Sequence, residues 1–544
     1  MRRQIYKNYY FASDFNKHFF AMNKREKFSE YINQGYTFKS DNIILGSAML
    51  DGEVISDTHV RIPLKMLNRH GLIAGATGTG KTKTLQVISE QLSDRGVPVL
   101  MMDVKGDISG IAKPGVELPF ISERHAKLKL PYSPKGYPVE LMTLSKQEGV
   151  RLRATVSEFG PVLLSRILDL SDAQSGIMSV VFKYCDDNQL PLLDLKDLKK
   201  VLNYITNEGK KVIEEEYGNI SPVSTGTILR KLIELEQQDA GLFFGELSFE
   251  IDDLMRFDQN GNAYINIVRL TDIQDKPKLF STFMLCLLAE IYSLMPEKGD
   301  VDKPELVIFI DEAHLVFNQA TKALLNQIET IIKLIRSKGV GIFFITQNPT
   351  DVPNSVLGQL GLKIQHSLRA FTAADRKAIK LTAENFPISE FYKTDEALTN
   401  LGTGEALVTS LNEKGNPAPL AATMIRAPQS RMDILSQEEI NQINQQSALV
   451  KKYGQTIDRE SAYEILTKKI NESEKWAELE ALKKENEKLK QQSQKSTVNT
   501  PPPPAMRQAA TTKGKSTRMN PAVKVVTSAT FIRGVMGVLS KVLK

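Results

Sequence analysis

The stretch LIAGATGTGKTKTLQVISEQLSDRGVPVLMMDV, residues 72–104, decides the fold. Its apolar start, LIAG at 72–75, reads as a strand; TLQVISEQLSDRG carries helical spacing; and VPVLMMDV at 97–104 is a second apolar strand after the turn at Arg95 and Gly96. Strand, loop, helix and strand in that order make a βαβ unit, whose parallel strands are expected to be buried on both faces. The expected fold class is α/β.

The loop inside this unit, GATGTGKT from Gly75 to Thr82, matches G-x-x-x-x-G-K-[ST] without departure. Gly75, Gly78 and Gly80 let successive backbone N–H groups turn inward around a phosphate chain, and the helix that follows offers its positive N-terminal end. Lys81 would reach the β- and γ-phosphates and Thr82 would ligate Mg²⁺. Ala76, Thr77 and Thr79 complete the expected nucleotide cradle, with Thr84 one turn further on. The expected ligands are therefore a nucleotide, which the resemblance described below implies is ATP, and Mg²⁺.

Working outward, LVIFIDE at 306–312 is an apolar strand ending in two acids. Asp311 can hold the magnesium through water, and Glu312 can orient and deprotonate an attacking water, which favours hydrolysis over mere binding. The bland alternative is an acidic pair that simply opens a helix. In GIFFITQNP, Gln347 falls just past the next strand, where its amide could contact both γ-phosphate and water; otherwise it is a turn residue before Pro349. Asp103, ending the second strand of the βαβ unit, is a candidate for contact with metal, water or Lys105, and Asp107 for the same or for capping a turn. Arg336, in IKLIRSKGVG, is a candidate for a guanidinium supplied from a neighbouring subunit. Arg369 and Arg376 compete for that role.

Composition sets the outer limits. The 544 residues are 41% hydrophobic and 25% charged, ordinary globular usage for two to four domains. Two cysteines, Cys185 and Cys286, exclude a disulfide scaffold and a cysteine-rich zinc site, and a reducing cytoplasm is the expected location. The longest apolar run, 280–295, contains Glu290 and reads as a buried helix rather than a membrane span. Nine basic residues and no acids lie after residue 494, so the formal +6 leaves residues 1–494 near −3. Basicity thus belongs to the tail and says little about the body.

The expected organisation is an N-terminal arm (1–40), the first part of the core (41–145), a charged helical insertion (146–258), the second part of the core (259–430), C-terminal helices (431–494) and a basic linker with a terminal amphipathic helix (495–544). Leu479, Leu482, Asn486 and Leu489 keep a 3,4,3 spacing, which suits a solvated helix better than a coiled coil because it spans only two heptads.

NRHGLIAGATGTGKT, MMDVKGDISG, LVIFIDEAH, RSKGVGIFFITQNP and LGTGEALVTSL, in this order, resemble the HerA/FtsK division of P-loop ATPases, and most closely its bacterial HerA-like members. The resemblance covers about residues 45–430. It implies a RecA-like sheet, hexameric rings with active sites between subunits, and motor action on double-stranded DNA. It places Lys81 and Thr82 on phosphate and magnesium, Asp311 and Glu312 in the Walker B roles, Gln347 as sensor and Arg336 as the trans finger. The 74 residues ahead of the loop are too few for the complete N-terminal β-barrel that docks a nuclease in archaeal relatives, which leaves a nuclease partner open. The competing reading is an ATP-switched assembly protein whose basic tail engages a protein or an anionic membrane.

Overall fold

The computed structural model describes residues 23–317, 322–455, 457 and 459–496. The chain divides into two units, one ending at Glu472 and the other beginning at Ser473. Of the basic linker and terminal amphipathic helix expected over 495–544, residues 495 and 496 end the helix Ala462–Ser496 and the rest lie outside the described residues.

The first unit is organised by a 12-stranded sheet. In chain order its strands are β1 (Asn42–Leu50), β2 (Glu53–Pro63), β3 (Gly71–Ala74), β4 (Val99–Asp103), β5 (Val139–Thr143), β6 (Val150–Arg151), β7 (Ile265–Arg269), β8 (Leu306–Ile310), β9 (Val340–Thr346), β10 (Leu362–His366), β11 (Glu405–Thr409) and β12 (Ala421–Ile425). Their spatial order is β2-β1-β12-β11-β10-β3-β9-β8-β4-β7-β5-β6. From β10 to β6 every pairing is parallel, whereas β10, β11, β12, β1 and β2 pair antiparallel. The expected α/β class with a mainly parallel core is what the chain forms.

The parallel strands are continuous apolar runs because helices cover both faces. Ile308, Ile310, Ile342 and Phe344 face one core, and Val307, Phe309, Phe343 and Ile345 face the other, as the two-residue period of a strand requires. The helix Lys81–Asp94 presents Leu85, Ile88 and Leu92 to the second core. The helices between Val156 and Glu236, with the long Pro277–Leu294 helix, cover the opposite face. Their Leu198, Leu202, Leu232 and Leu285 join the same apolar cluster as the sheet, so this segment packs on the sheet and shares its core.

The N-terminal helix Lys24–Tyr36 is capped by Asn23, whose side chain accepts from the Glu26 N–H while Glu26 reaches back to the Asn23 N–H. Its Phe28, Ile32 and Tyr36, spaced by four, are fully buried in the second core, each contributing about 1.5–3 kcal/mol. Among the described residues no helix is long and apolar enough to cross a membrane. Cys185 and Cys286 are buried and unpaired in a disulfide.

Candidate active site

The candidate site forms at the C-terminal edge of β3, β9, β8 and β4, where loops replace the ladder. β3 lies between β10 and β9, and its last residue, Ala74, sits level with Gln365 and Thr346. The Gly75 N–H donates to Thr346 O at 3.3 Å and the Ala76 N–H to Ser367 O at 2.9 Å, so both neighbouring strands pin the start of the loop. A Cβ at Gly75 would meet His366 Cβ at 2.5 Å, and only glycine allows this approach. Gly80 caps the Lys81–Asp94 helix with φ of +113° and no side-chain bond, leaving the first helical N–H groups directed at the loop.

Lys81 is 6% exposed, and its Nζ donates to Gly75 O at 2.6 Å and Ala76 O at 3.1 Å. An ammonium carries three protons, so one donor is left for a phosphate oxygen. Burial, and then the neighbouring Lys105 charge, lower its pKa, and the carboxylates of Glu312, Asp311 and Asp107 oppose them.

The acids arrive on β8, two strands from β3. Glu312 stands just past its end with φ of +47°, an uncommon backbone state for a non-glycine residue. Its Oε1 pairs with Lys105 Nζ and accepts from Gln347 Nε2 at 3.4 Å; its Oε2 lies 3.1 Å from His314 Nδ1. Burial pushes this carboxyl up, but the Lys105 charge and hydrogen bond, helped by Gln347 and His314, outweigh it and hold the pKa below the ordinary glutamate value. Asp311 behaves oppositely: burial raises it to about 6, Lys105 opposes, and Glu312 and Asp107 add to the rise.

Gln347 closes the circuit. Its Oε1 accepts from Thr77 Oγ1 at 3.3 Å, so one amide touches both the phosphate loop and Glu312. Thr79 Oγ1 donates to Ala76 O at 2.7 Å and stiffens the loop from within.

Thr82 Oγ1 donates to Asp107 Oδ2 at 3.2 Å, while Asp107 Oδ1 is buried without a hydrogen-bond partner. Thr82, Asp311 and that orphaned oxygen are hard donors. Among the described residues no group of three or more His, Cys, Asp or Glu could hold a metal unaided. This fits Mg²⁺, which takes one or two carboxylates and completes its shell with water and substrate phosphates.

Other expected site residues sit elsewhere. Asp103 is buried and accepts the Gly106 N–H at 2.7 Å, bracing the turn that carries Lys105 and Asp107; burial is the main cause lifting its pKa to about 7. Thr84 Oγ1 bonds His366 Nε2 at 2.9 Å behind the loop. Arg336 lies before β9, at the end of that strand opposite Gln347, with Nη2 3.6 Å from Asp300 Oδ1. Seven strand residues separate those ends by on the order of 20 Å, so Arg336 does not reach the site of its own subunit. Arg369 is exposed two residues after Ser367, and Arg376 is exposed on the helix Ala373–Glu384. His366 was not singled out by sequence reasoning, because a lone histidine in the strand LKIQHSL carries no motif; its role shows only in the approach to Gly75.

A family model described as helicase HerA-like C-terminal matches residues 49–543, nearly the whole chain. The chain belongs to the helicase HerA-like C-terminal family. Among curated relatives of this HerA-like chain, the DNA double-strand break repair helicase HerA of Sulfolobus acidocaldarius is 22% identical over 361 residues, covering 65% of this chain and 64% of the relative. The protein of the same description from Sulfurisphaera tokodaii is 24% identical over 363 residues, with the same coverage. The HerA-like chain thus spans just under two-thirds of the length of these relatives. Among solved structures, the plasmid coupling protein TrwB in complex with a non-hydrolysable ATP analogue aligns at a TM-score of 0.49 and 13% identity, over 75% of this chain and 95% of that one.

Proposed function

We propose that this HerA-like chain hydrolyses ATP and couples the hydrolysis to movement along double-stranded DNA, working as a homo-hexamer with active sites between subunits. The observation that carries the chemistry is the double contact of Gln347, with Thr77 of the phosphate loop and with Glu312. It sets a phosphate-binding loop and a buried carboxylate around one space. Support for DNA comes from family membership and from relatives described as DNA double-strand break repair helicases.

In the proposed mechanism the loop N–H groups and Lys81 hold the triphosphate. Thr82, Asp311 and Asp107 would hold Mg²⁺, which supplies charge neutralisation at the β- and γ-phosphate oxygens. Glu312 accepts a proton from the attacking water, and Gln347 orients that water through the amide it shares with the loop. Lys105 keeps Glu312 ionised until then. Arg336, remote from its own loop, serves the site of the adjacent subunit.

Phosphate release measured with and without duplex DNA across a salt series tests the reading. Stimulation at low salt that fades as salt rises is expected, because phosphate contacts release counterions. A rate indifferent to duplex DNA at every salt concentration would remove the DNA motor and leave an ATPase acting on another partner.

A further inference from the structure

Leu479, Leu482, Asn486 and Leu489 keep a 3,4,3 spacing, and all four stand on one unbroken helix, Ala462–Ser496. Steps of three and four return to the same face of a helix, so these side chains form one stripe. Leu479 is 48% exposed, Leu482 55% and Leu489 57%, and Trp476, three residues before Leu479, is 51% exposed. Single exposed leucines are ordinary, but an aligned row headed by a tryptophan marks an interaction surface. Behind the stripe, Glu480 Oε2 and Lys484 Nζ pair at 3.9 Å across one turn.

The spacing alone suits a solvated helix, because it spans only two heptads. The charges beside the stripe tip the balance toward pairing. With Leu479 and Asn486 at the a positions and Leu482 and Leu489 at d, Glu478 and Glu485 fall at g, and Lys483 and Lys490 fall at e. In a parallel, in-register pair each g residue faces the e residue five positions further on in the partner. Glu478 then meets Lys483 and Glu485 meets Lys490, on both sides of the seam. An antiparallel pair would set g against g and e against e, which here means glutamate against glutamate and lysine against lysine.

Asn486 selects the same arrangement. At an a position it meets the Asn486 of a second copy only when the two helices run parallel and in register, where one amide donates to the other. Antiparallel pairing sets it against a leucine and leaves a buried amide unpaired.

We propose that residues 476–489 are a docking surface for a second copy of this chain, and that the two copies pair there as a parallel, in-register, two-stranded coiled coil. The pairing is separate from the hydrolytic site and requires no nucleotide.

The test is disulfide capture in the full chain. Leu482→Cys places a thiol at a d position, facing its counterpart across the seam, and Lys484→Cys places one on the outer face. The native Cys185 and Cys286 are buried and do not compete. Under mild oxidation Leu482→Cys should run as a covalent dimer on a non-reducing denaturing gel, and Lys484→Cys as a single chain. Adding Glu478→Lys and Glu485→Lys to the Leu482→Cys chain should abolish the dimer, as should adding Lys483→Glu and Lys490→Glu, and mixing the two reversed chains should restore it. Trp476 is the chain's one tryptophan, so its emission reports on this face, and in the wild type it should lie to the blue of that in Leu482→Glu.

Equal capture at positions 482 and 484, or a dimer indifferent to charge reversal, overturns the proposal. So does the absence of a Leu482→Cys dimer. In that case a blue Trp476 emission means that the chain covers the stripe itself, and the emission of a hydrated indole means that the stripe is left for a different protein.

Discussion

Lys105 Nζ and Glu312 Oε1 form an ion pair that ties the turn after β4 to the acid after β8. Glu312 is buried while Lys105 is about a third exposed, so the lysine brings charge from the rim to an otherwise desolvated carboxylate. Gln347 shares that Oε1, while the remaining Glu312 oxygen is buried without a hydrogen-bond partner, 3.1 Å from His314 Nδ1.

Replacing Lys105 by Met removes the charge that holds the Glu312 pKa down against burial. The Glu312 pKa then rises, and the acid limb of the pH–rate profile is expected to move to higher pH with ATP affinity retained. A profile superimposable on that of the wild type would show that Lys105 does not tune the base.

His70 is fully enclosed at the opposite edge of the sheet. The Ile342 N–H donates to its Nδ1 at 3.0 Å and its Nε2 donates to Ile332 O at 2.8 Å, a pairing that only the neutral ring makes. Burial depresses its pKa from 6.5 to about 4. The unfolded chain therefore takes up the proton first as pH falls. The stabilisation is complete above pH 6.5 and is lost progressively between 6.5 and about 4, by up to about 3 kcal/mol. Thermal melts from pH 7 to 4 should show Tm falling through that window, and His70→Gln should fall less steeply.

Glu90, buried in the helix after the phosphate loop, accepts the Gln429 and Ser430 N–H groups at 2.9 Å each. Glu90→Ala strands these donors and is expected to cost about 3 kcal/mol, at about 1–3 kcal/mol per unsatisfied group, read as a lower denaturation midpoint.

Much of this architecture was legible in the chain. The parallel strands β3, β4, β8 and β9 are unbroken hydrophobic stretches because helices cover both faces, which makes them legible in the sequence. Three other strands were not read. β5, VELMT, hides a fully buried Glu140 that is satisfied by Arg256 at 2.7 Å and Ser447 at 2.7 Å, a tertiary compensation no local pattern encodes. β12, AATMI, is rich in alanine, a poor strand former that the sheet accepts because its neighbours β1 and β11 are already in place. β6 is two residues long. The helix Lys24–Tyr36 carried a readable signal in Asn23 and Glu26, the spacing of a capping box. At the site, the motif residues stand in recognisable stretches, whereas His366 acts only through folded proximity.

The trans role of Arg336 has a direct check. Arg336→Ala and Glu312→Gln chains, each inactive alone, should regain ATP turnover when mixed, because some interfaces then pair an intact arginine with an intact glutamate. Full activity of Arg336→Ala by itself would assign the finger elsewhere, with Arg369 and Arg376 next in line.

The central claim is that Glu312 activates water against a nucleotide held by the Gly75–Thr82 loop, and the measurement that meets it most directly pairs ATP binding with phosphate release in Glu312→Gln. The variant should bind ATP as the wild type does and turn it over about 10²–10⁴-fold more slowly, the usual contribution of a general base. Turnover equal to that of the wild type would contradict the account.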